Sequence, residues 1–257
     1  MREPLVSIIT VCYNAAATIE QTIQSVINQS YPKIEYIIID GNSKDNTMEI
    51  VRKYESKITT IISEPDKGIY DAMNKGIRLA KGELIGMINA DDWYEAGAVE
   101  AMVEAYEAQD DRDNCIYYGM LRIWREEKEF CLRMYHHNFA SEQVIQHPTN
   151  FIPKALYEKF GTYDLSLSIC ADYELQTRFR LNGAQFVPVV KVISNFRMGG
   201  SSDRMTKEQI MEMPKVQLKF GMITQEQYDA IYKRVMGEKK RSLLYRILRK
   251  IKHAIVQ

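Results

Sequence analysis

The first 95 residues alternate between two hydrophobic rhythms, one typical of buried strands and one typical of helices. Between the apolar runs, hydrophobic residues recur three and four positions apart, as a helix with one buried face requires. This predicts helices over 18–30, about 45–55 and 70–82. The apolar runs predict four strands, over 5–13, 34–40, 58–63 and 83–89.

Strands that are apolar along almost their whole length are typical of a parallel sheet covered by helices on both faces. We therefore predict an α/β fold with a mostly parallel central sheet. Crossover connections of this length are right-handed. In open sheets of this kind a ligand binds beyond the carboxyl ends of the strands, so the residues at those ends carry the functional information.

The second half of the chain has a different pattern. Two alternating segments, 115–124 and 127–134, predict paired antiparallel strands. From about 206 onward the chain is predicted to be helical. We also predict helices over 96–108, from about 153 and over 168–183, and a last strand over 184–196.

Three of the four predicted strand ends are acidic. The ends are Tyr13, Asp40, the pair Glu64 and Asp66, and the pair Asp91 and Asp92. Helix capping is as good an explanation as ligand binding for Asp66, and also for Asp45 in the loop after the second predicted strand. It does not explain Asp91 and Asp92, because two adjacent carboxylates at the end of a buried strand repel each other unless a cation or hydrogen bonds compensate.

Hard carboxylate oxygens favour Mg²⁺ or Mn²⁺, which proteins often hold with one or two carboxylates and the phosphates of a substrate. Asp91 and Asp92 supply such a pair. Asp40 could accept a hydrogen bond from a pyrimidine or a ribose, and Tyr13 could stack on a base. We expect Thr10, in the same strand as Tyr13, to belong to this nucleotide site.

Charge is distributed unevenly along a chain that is neutral overall. Residues 238–257 contain seven basic residues and one acidic residue, which leaves a net charge of −6 on the rest. An acidic body argues against nucleic-acid binding.

The four cysteines are far apart in the sequence, and this spacing favours reduced thiols over a zinc cluster or a disulfide framework. The N-terminus does not resemble a signal peptide and no run is apolar enough for a membrane span, so we expect a cytoplasmic protein.

Two segments together closely resemble the inverting glycosyltransferases of family 2, which have the GT-A fold. They are SIITVCYNAAATIEQTIQSVINQSYPKIEYIIIDGNSKDNT and GIYDAMNKGIRLAKGELIGMINADDWY. The resemblance covers roughly residues 4–200. It implies a GT-A catalytic domain over 1–205, with a nucleotide-binding half (1–95) and an acceptor-binding half (96–205), followed by a helical extension over 206–257.

The resemblance also implies roles for individual residues. Tyr13 and Asp40 would hold the base of a nucleotide diphosphate-sugar, with a UDP-sugar favoured. Asp92 would be the nearer ligand of Mn²⁺ or Mg²⁺, and Asp91 would lie nearer the ribose. The Cys-Ala-Asp-Tyr-Glu segment resembles the later acidic motif of the family, which makes Asp172 the catalytic base.

The chemistry requires such a base, because an acceptor hydroxyl has a high pKa and must lose its proton as it attacks the sugar. One attack opposite the leaving diphosphate inverts the anomeric centre. From the bare sequence, Asp172 is equally explained as an acidic residue that interacts with the dipole of a helix N-terminus.

Four further residues are candidate contacts to the donor or acceptor: Asp71, Trp93, Tyr94 and His147. Each also has a structural explanation, namely a helix first turn for Asp71, packing for Trp93 and Tyr94, and a turn before proline for His147. The chain departs from the family at Met73, where many members have arginine, and at Ala90, which leaves the acidic motif without an acid in its first position. The Gly-rich segment 197–203 could close over a diphosphate or be a plain linker.

The basic end of the chain, 238–257, has an apolar helical face flanked by cations. Such a helix can lie on an anionic membrane, or pack on protein. With the family resemblance, the membrane interpretation suggests a lipid-linked glycan acceptor at the inner face of the cell membrane, as in bacterial surface polysaccharide synthesis.

Other classes of protein fit less well. A non-catalytic nucleotide-sugar-binding regulator is the main alternative, and it would not need Asp172. A nucleotidyltransferase should carry a Gly-rich basic loop after the first strand, where this chain has Asn14-Ala15-Ala16-Ala17. A dinucleotide oxidoreductase should have a GxGxxG motif there.

Overall fold

The computed structural model describes residues 3–137, 145–199 and 205–237. The chain divides between Met205 and Thr206 into two compact units. The first unit contains the whole sheet, and the described part of the second contains helices. The predicted segment 238–257 and most of the predicted Gly-rich loop lie outside the described residues.

The first part of the chain forms a four-stranded parallel sheet with a helix after each of the first three strands. Its elements are β1 (Val6–Cys12), α1 (Ile19–Ile27), β2 (Ile34–Asp40), α2 (Thr47–Lys53), β3 (Thr60–Ser63), α3 (Ile69–Leu79) and β4 (Leu84–Asn89). The order across the sheet is β3-β2-β1-β4, so β1 is central. All seven residues of β1 are buried.

Alternate residues of the central strands face two separate hydrophobic cores, because side chains on a strand point to opposite faces in turn. Ile8 and Ile38 pack in one core with α1 and α2. Ile9 and Ile37 pack in the other with α3. The continuous apolar strands of the sequence therefore reflect burial on both faces, as predicted.

The rest of the first unit extends the sheet in mixed directions. Its elements are β5 (Trp93–Tyr94), α4 (Ala98–Glu107), β6 (Cys115–Arg125), β7 (Lys128–Arg133), β8 (Phe151–Pro153), α5 (Lys154–Phe160), α6 (Ala171–Leu181) and β9 (Gln185–Arg197). The short strand β8 lies antiparallel between β4 and β6. β9 runs parallel to β6, and β7 pairs with β6 in the predicted antiparallel hairpin.

Two strands were missed by the sequence pattern, β5 and β8. They contain two and three residues, too few to show a period. β8 is nevertheless the element that joins the parallel half of the sheet to the strands of the second half. The predicted α/β fold with a mostly parallel sheet and helices on both faces is confirmed.

The second unit contains α7 (Lys207–Ile210), α8 (Glu212–Lys219) and α9 (Gln225–Met236). Two of these helices begin with a capping box, in which the threonine hydroxyl and the glutamine side chain three residues later bond each other's backbone N–H. The helical prediction for this part is correct as far as Met236. In the described residues, no helix combines the length and apolarity that crossing a membrane requires.

A buried carboxylate holds the amino-terminal ends of the central strands together. Glu35 accepts hydrogen bonds from the Ser7 hydroxyl at 2.5 Å and from the Lys81 N–H at 2.7 Å. The Ser7 oxygen in turn accepts from the Gly82 N–H at 2.8 Å. This network ties β1, β2 and the turn before β4 at the edge of the sheet opposite the predicted site.

Replacing Glu35 with alanine should lower the free energy of unfolding by about 1–3 kcal/mol, because the buried Ser7 hydroxyl loses its acceptor. Urea unfolding followed by circular dichroism measures the change. Glu49→Ala is the matched control, since Glu49 is exposed on α2, and should stay within about 0.5 kcal/mol of the parent. Equal stability of the two variants would contradict this account.

Candidate active site

The register of the parallel strands sets the ends of β1 to β4 side by side. Cys12 pairs with Asp40, and Asp40 pairs with Ser63. On the other side of β1, Val11 pairs with Asn89, two residues before Asp91. The polar residues that end the strands therefore share one edge of the sheet, as the sequence pattern predicts.

Asp40 lies beneath this edge with no exposed surface. Its carboxylate accepts hydrogen bonds from the Ser43 N–H at 3.1 Å, the Ser43 hydroxyl at 2.5 Å and the Ser63 hydroxyl at 2.6 Å. The Cys12 thiol lies 3.7 Å from the same carboxylate. In this arrangement Asp40 holds the loop after β2 in place and presents no oxygen to a ligand.

Thr10 is also fully buried, two residues before the end of β1. Its hydroxyl lies 3.1 Å from the Tyr36 hydroxyl within the sheet. A side chain that points into a core cannot contact a nucleotide at the edge, so the structure places Thr10 outside the site. The prediction included it because a strand end cannot be located to within two residues from an apolar run.

The accessible part of the sheet edge at which the sequence predicts a nucleotide is formed by Tyr13, Gly41 and Asp66. The Tyr13 side chain is 62% exposed. A Cβ atom on Gly41 would lie 2.5 Å from the Asp66 Oδ2 atom and 3.4 Å from the Tyr13 ring. Gly41 is thus required for the close approach of a ring and a carboxylate. Helix capping was the alternative explanation for Asp66, and its carboxylate does accept the Gly68 N–H at 2.9 Å, just before α3.

The loops after β1 and β2 are fastened to each other by side chain to backbone hydrogen bonds. The Asn14 N–H donates to the Ser43 hydroxyl at 2.8 Å, and the Lys44 N–H donates to Asn14 Oδ1 at 2.8 Å. Asp45 accepts from the Ala16 N–H at 3.1 Å. Asn14 has φ = 50°, a left-handed conformation that asparagine tolerates. Asp45 therefore has the structural role that the sequence left open.

Asp91 and Asp92 lie in a tight turn that the Asp92 N–H closes on the Asn89 carbonyl at 3.1 Å. The two side chains differ in exposure. Asp92 has no exposed surface, and its Oδ1 accepts from the Arg197 N–H at 3.1 Å. Its Oδ2 is buried without a hydrogen-bond partner among the described residues. Asp91 remains partly exposed.

Both carboxylates have raised pKa values. Burial raises the pKa of Asp92 well above its ordinary value, and the charge of Asp91 raises it further. Burial also raises the pKa of Asp91, which Arg197 partly offsets. A carboxylate oxygen without a hydrogen-bond partner in the described part of the chain, next to a second carboxylate, is an arrangement that a divalent cation would stabilise.

The described residues contain no group of three or more histidine, cysteine or acidic side chains able to hold a metal by themselves. Two carboxylates nevertheless fit Mg²⁺ or Mn²⁺, which complete their coordination with water and substrate phosphates. The accessible carboxylate in this structure belongs to Asp91, the reverse of the order that the sequence resemblance implies.

Arg197, which the sequence analysis did not single out, packs against the turn that contains Asp91 and Asp92, called here the acidic turn. Its side chain donates to the Asp91 carbonyl at 3.3 Å and to Gln21 Oε1 at 2.7 Å, and its guanidinium lies 5.1 Å from the Trp93 ring. Trp93 also packs on Trp124, with ring centroids 5.7 Å apart. Trp93 is therefore sandwiched by protein groups, although it is partly exposed.

Tyr94 is a core residue rather than a floor for a sugar ring. It is 3% exposed and packs on Phe151 with ring centroids 5.6 Å apart.

Asp71 lies in the first turn of α3, which is the structural explanation that the sequence analysis set beside a ligand contact. It accepts the Lys67 N–H at 3.0 Å at the start of α3 and lies 3.9 Å from the Lys75 ammonium.

A cavity of about 420 Å³ lies in the first unit beside the acidic turn. Asp172 and His147 both line it, together with Asn89 and Tyr70. The lining also includes the apolar side chains of Ile69, Leu121, Ile123, Phe130, Phe196 and Met198. The structure therefore brings His147 and Asp172 together, 25 residues apart in sequence, and places them next to the strand that leads to Asp91.

Asp172 lies in the first turn of α6. One of its oxygens accepts the Tyr173 N–H at 2.8 Å. Burial raises the pKa of Asp172 to about 6, although hydrogen bonds from Tyr173 and Tyr70 oppose the rise. A carboxylate with such a pKa is ionised at neutral pH and is a stronger base than an exposed aspartate, as general base catalysis requires.

The match to a known family covers more than half of the chain. The model of "Glycosyl transferase family 2" matches residues 7–154. An uncharacterised glycosyltransferase of Mycobacterium tuberculosis is 35% identical over 185 residues, which cover 69% of this chain and 70% of the relative. A PGL/p-HBAD biosynthesis glycosyltransferase of Mycobacterium bovis is 25% identical over 86% of this chain and 88% of its own length.

Solved structures of low identity share the fold. Staphylococcus aureus TarS, in complex with UDP-GlcNAc, has a TM-score of 0.67 at 17% identity over 90% of this chain and 71% of its own. The mannosyltransferase PcManGT of Pyrobaculum calidifontis, in complex with GDP-Man and Mn²⁺, has a TM-score of 0.66 at 16% identity over 99% and 81%. With the family match, the GT-A fold and the arrangement of acidic residues at one sheet edge, the chain belongs to glycosyl transferase family 2 and is a glycosyltransferase.

Proposed function

We propose that this glycosyltransferase is a metal-dependent inverting enzyme. It transfers a sugar from a nucleotide diphosphate-sugar, with a UDP-sugar favoured, to a hydroxyl of a lipid-linked glycan. The observation that carries the proposal is the position of Asp172, a carboxylate with a raised pKa in a cavity beside the accessible acidic turn of Asp91.

The donor nucleotide would lie on the edge formed by Tyr13, Gly41 and Asp66. An exposed aromatic ring offers a stacking surface for a base, and the nearby carboxylate can accept from a base N–H or a ribose hydroxyl. Asp40 supports this surface from below through Ser43. The structural neighbours were solved with a UDP-sugar and with a GDP-sugar, so the choice of base requires a direct test.

Asp91, with the orphaned oxygen of Asp92 behind it, would hold Mn²⁺ or Mg²⁺. The ion would neutralise charge on the departing diphosphate. Arg197 lies against the same turn and reduces the repulsion between the two carboxylates. This assigns Asp91 as the metal ligand and Asp92 as the buried residue that shapes the turn.

Asp172 would take the proton of the acceptor hydroxyl as its oxygen attacks the anomeric carbon. Among the described residues that line the cavity, Asp172 is the one carboxylate. A retaining route through a covalent carboxylate ester would need a nucleophile as well as a base. A single carboxylate supports a single displacement, which inverts the anomeric centre.

The acceptor would be amphiphilic. The apolar side chains of the cavity lining, which include half-exposed Phe130, suit an apolar group attached to the acceptor sugar. Arg133 lines the same cavity and provides a cation for a phosphate. A relative that takes part in PGL/p-HBAD biosynthesis is consistent with an acceptor of this kind.

Asp172→Asn should lower turnover by about 10²-fold or more, because positioned bases contribute on the order of 10²–10⁴ in rate. Nucleotide release with octyl and p-nitrophenyl glycosides as acceptors measures turnover.

The pH profile of the parent should show the same group. Its kcat/KM should fall about tenfold per pH unit below pH 6, because protonated Asp172 can no longer accept a proton. The variant should lack this decrease.

The control for this variant is Glu158→Gln, which changes an exposed carboxylate on α5 and should leave turnover unchanged. Thermal stabilisation by the donor should be the same in all three proteins. Full turnover by Asp172→Asn would rule out Asp172 as the base, whereas donor binding by the parent without any turnover would favour the alternative of a non-catalytic nucleotide-sugar-binding protein.

Asp91→Asn should remove the Mn²⁺-dependent part of the thermal stabilisation by a nucleotide-sugar, since it removes the accessible metal ligand. Asp92→Asn should retain most of it, because the asparagine carbonyl can still accept the Arg197 N–H. A shift in melting temperature with UDP-, GDP- and dTDP-sugars, with and without Mn²⁺, measures both effects. The opposite ranking would restore Asp92 as the main ligand.

The amphipathic helix that the sequence predicts over 238–257 supports a peripheral position on the inner face of the cell membrane. Deleting it should release the protein from vesicles that contain anionic lipid, because its seven basic residues and apolar face would supply the attraction. Co-sedimentation with the vesicles measures binding, and added salt should weaken it. Unchanged sedimentation after deletion would show that the segment is not the anchor.

A further inference from the structure

We propose that His147 binds the acceptor through its Nδ1 atom, which accepts a hydrogen bond from a hydroxyl next to the one that reacts. This inference rests on the proposed function, because it requires Asp172 to take the proton of the reacting hydroxyl. It adds a second anchoring point to the acceptor site and a chemical requirement on the acceptor.

His147 lies in a short turn, His147–Thr149, immediately before β8. The Asn150 N–H closes the turn on the His147 carbonyl at 3.0 Å. The side chain is half-buried and lines the same cavity as Asp172. Its position thus makes it available to the molecule that Asp172 would deprotonate.

One nitrogen of the ring is committed to the protein. His147 Nε2 lies 3.2 Å from the Tyr163 hydroxyl, and this hydroxyl donates to the Met87 sulfur at 3.7 Å. A thioether has no hydrogen to return. The Tyr163 oxygen is therefore left to accept, and His147 Nε2 carries the hydrogen.

The Tyr163 hydroxyl also hydrogen-bonds with Tyr157. Burial raises the pKa of both tyrosines, and beyond that effect this contact lowers the pKa of Tyr157 and raises the pKa of Tyr163, as expected when Tyr163 is the donor. Whether its single hydrogen points to Tyr157 or to Met87, the Tyr163 oxygen is left to accept from His147 Nε2.

The imidazole is neutral at physiological pH, since burial lowers the pKa of His147 to about 4. A neutral ring with its hydrogen on Nε2 has a lone pair on Nδ1. Within the described ranges, Tyr163 is the hydrogen-bond partner of the ring. Nδ1 is thus a hydrogen-bond acceptor in a cavity where a substrate hydroxyl would be the donor.

Two buried amide side chains fix His147 relative to Asp172. Gln176, one turn after Asp172 on α6, donates to the Ile145 carbonyl at 2.8 Å and accepts the Ile145 N–H at 3.2 Å. Asn74 on α3 makes the same double contact with the backbone of Tyr163, at 2.9 Å in both directions. The base and the imidazole are therefore held on one rigid framework.

The chemistry of the reacting hydroxyl determines what His147 can bind. A hydroxyl has one hydrogen, and the reacting one must give it to Asp172. The donor to His147 is therefore a second hydroxyl of the acceptor. The acceptor must carry two neighbouring hydroxyls, as a sugar ring does, so a simple alcohol or a phenol with one hydroxyl does not satisfy the site.

The kinetic test compares the octyl glycoside that is turned over best with its analogues that each lack one hydroxyl beside the reacting position. The parent should lose at least about tenfold in kcat/KM with one analogue, because a site that binds a hydroxyl rejects a substrate without it. His147→Ala should use that analogue and the glycoside at similar rates. Equal discrimination by His147→Ala and the parent would overturn the proposal.

Two conservative variants identify the nitrogen. The asparagine of His147→Asn places its amide near the Nδ1 position, whereas the glutamine of His147→Gln reaches the Nε2 position. Partial rescue of discrimination by His147→Asn alone supports Nδ1 as the atom that binds the acceptor, and rescue by His147→Gln alone contradicts it. Donor-dependent thermal stabilisation should be unchanged in both variants, which separates a lost acceptor contact from a disturbed fold.

A spectroscopic test needs no acceptor. Nitrogen-15 NMR of protein labelled at its four histidines, with the His147→Asn spectrum for assignment, should show His147 neutral with its hydrogen on Nε2. Tyr163→Phe should mix the two tautomers because the partner of Nε2 is lost. A hydrogen on Nδ1 in the parent would refute the inference even if the enzyme transfers sugar, whereas absence of turnover with every glycoside would count against the proposed function instead.

Discussion

The parallel pairing of β1 with β2 and β4 is the constraint on which the site depends. Backbone hydrogen bonds fix the register so that Cys12 is beside Asp40 and Val11 is beside Asn89. The loops that leave these strands must then start from one edge. A slip of one residue would move every side chain of a strand to the other face, and the two hydrophobic cores that flank the sheet prevent it.

Burial divides the acidic residues of this edge into two groups. Asp40 and Asp92 lie below the surface, where hydrogen bonds from Ser43, Ser63 and the Arg197 backbone stabilise them. They shape the loops. Asp91 and Asp66 remain partly exposed. The same residue type thus stabilises a loop where it is buried and, in the proposed function, contacts the donor or its metal ion where it is exposed.

The proposed acceptor side is organised by a different principle. Ile145 and Tyr163 lie in segments outside the helices and strands, and buried amides hold them. Gln176 and Asn74 each make two hydrogen bonds to the backbone of a neighbouring segment, as a paired strand would. Because each amide is buried on a helix, the segments inherit the rigidity of α6 and α3. Apolar side chains line the same cavity as Asp172 and His147, and this mixed lining suits the proposed acceptor, with a sugar at one end and an apolar group at the other.

The periodic elements could be predicted from the chain, since apolar spacing reflects local geometry and burial. The acids at the strand ends could be located in the same way, and the family motifs singled out Asp172. Which of these side chains are accessible depends on the folded structure. Thr10 and Tyr94 proved to be core residues, and Asp91 rather than Asp92 kept an exposed carboxylate, because a single turn points adjacent side chains in different directions. The cavity that unites His147 with Asp172 could not be read from the chain, since it depends on a three-residue strand and on long-range hydrogen bonds that leave no periodic signal.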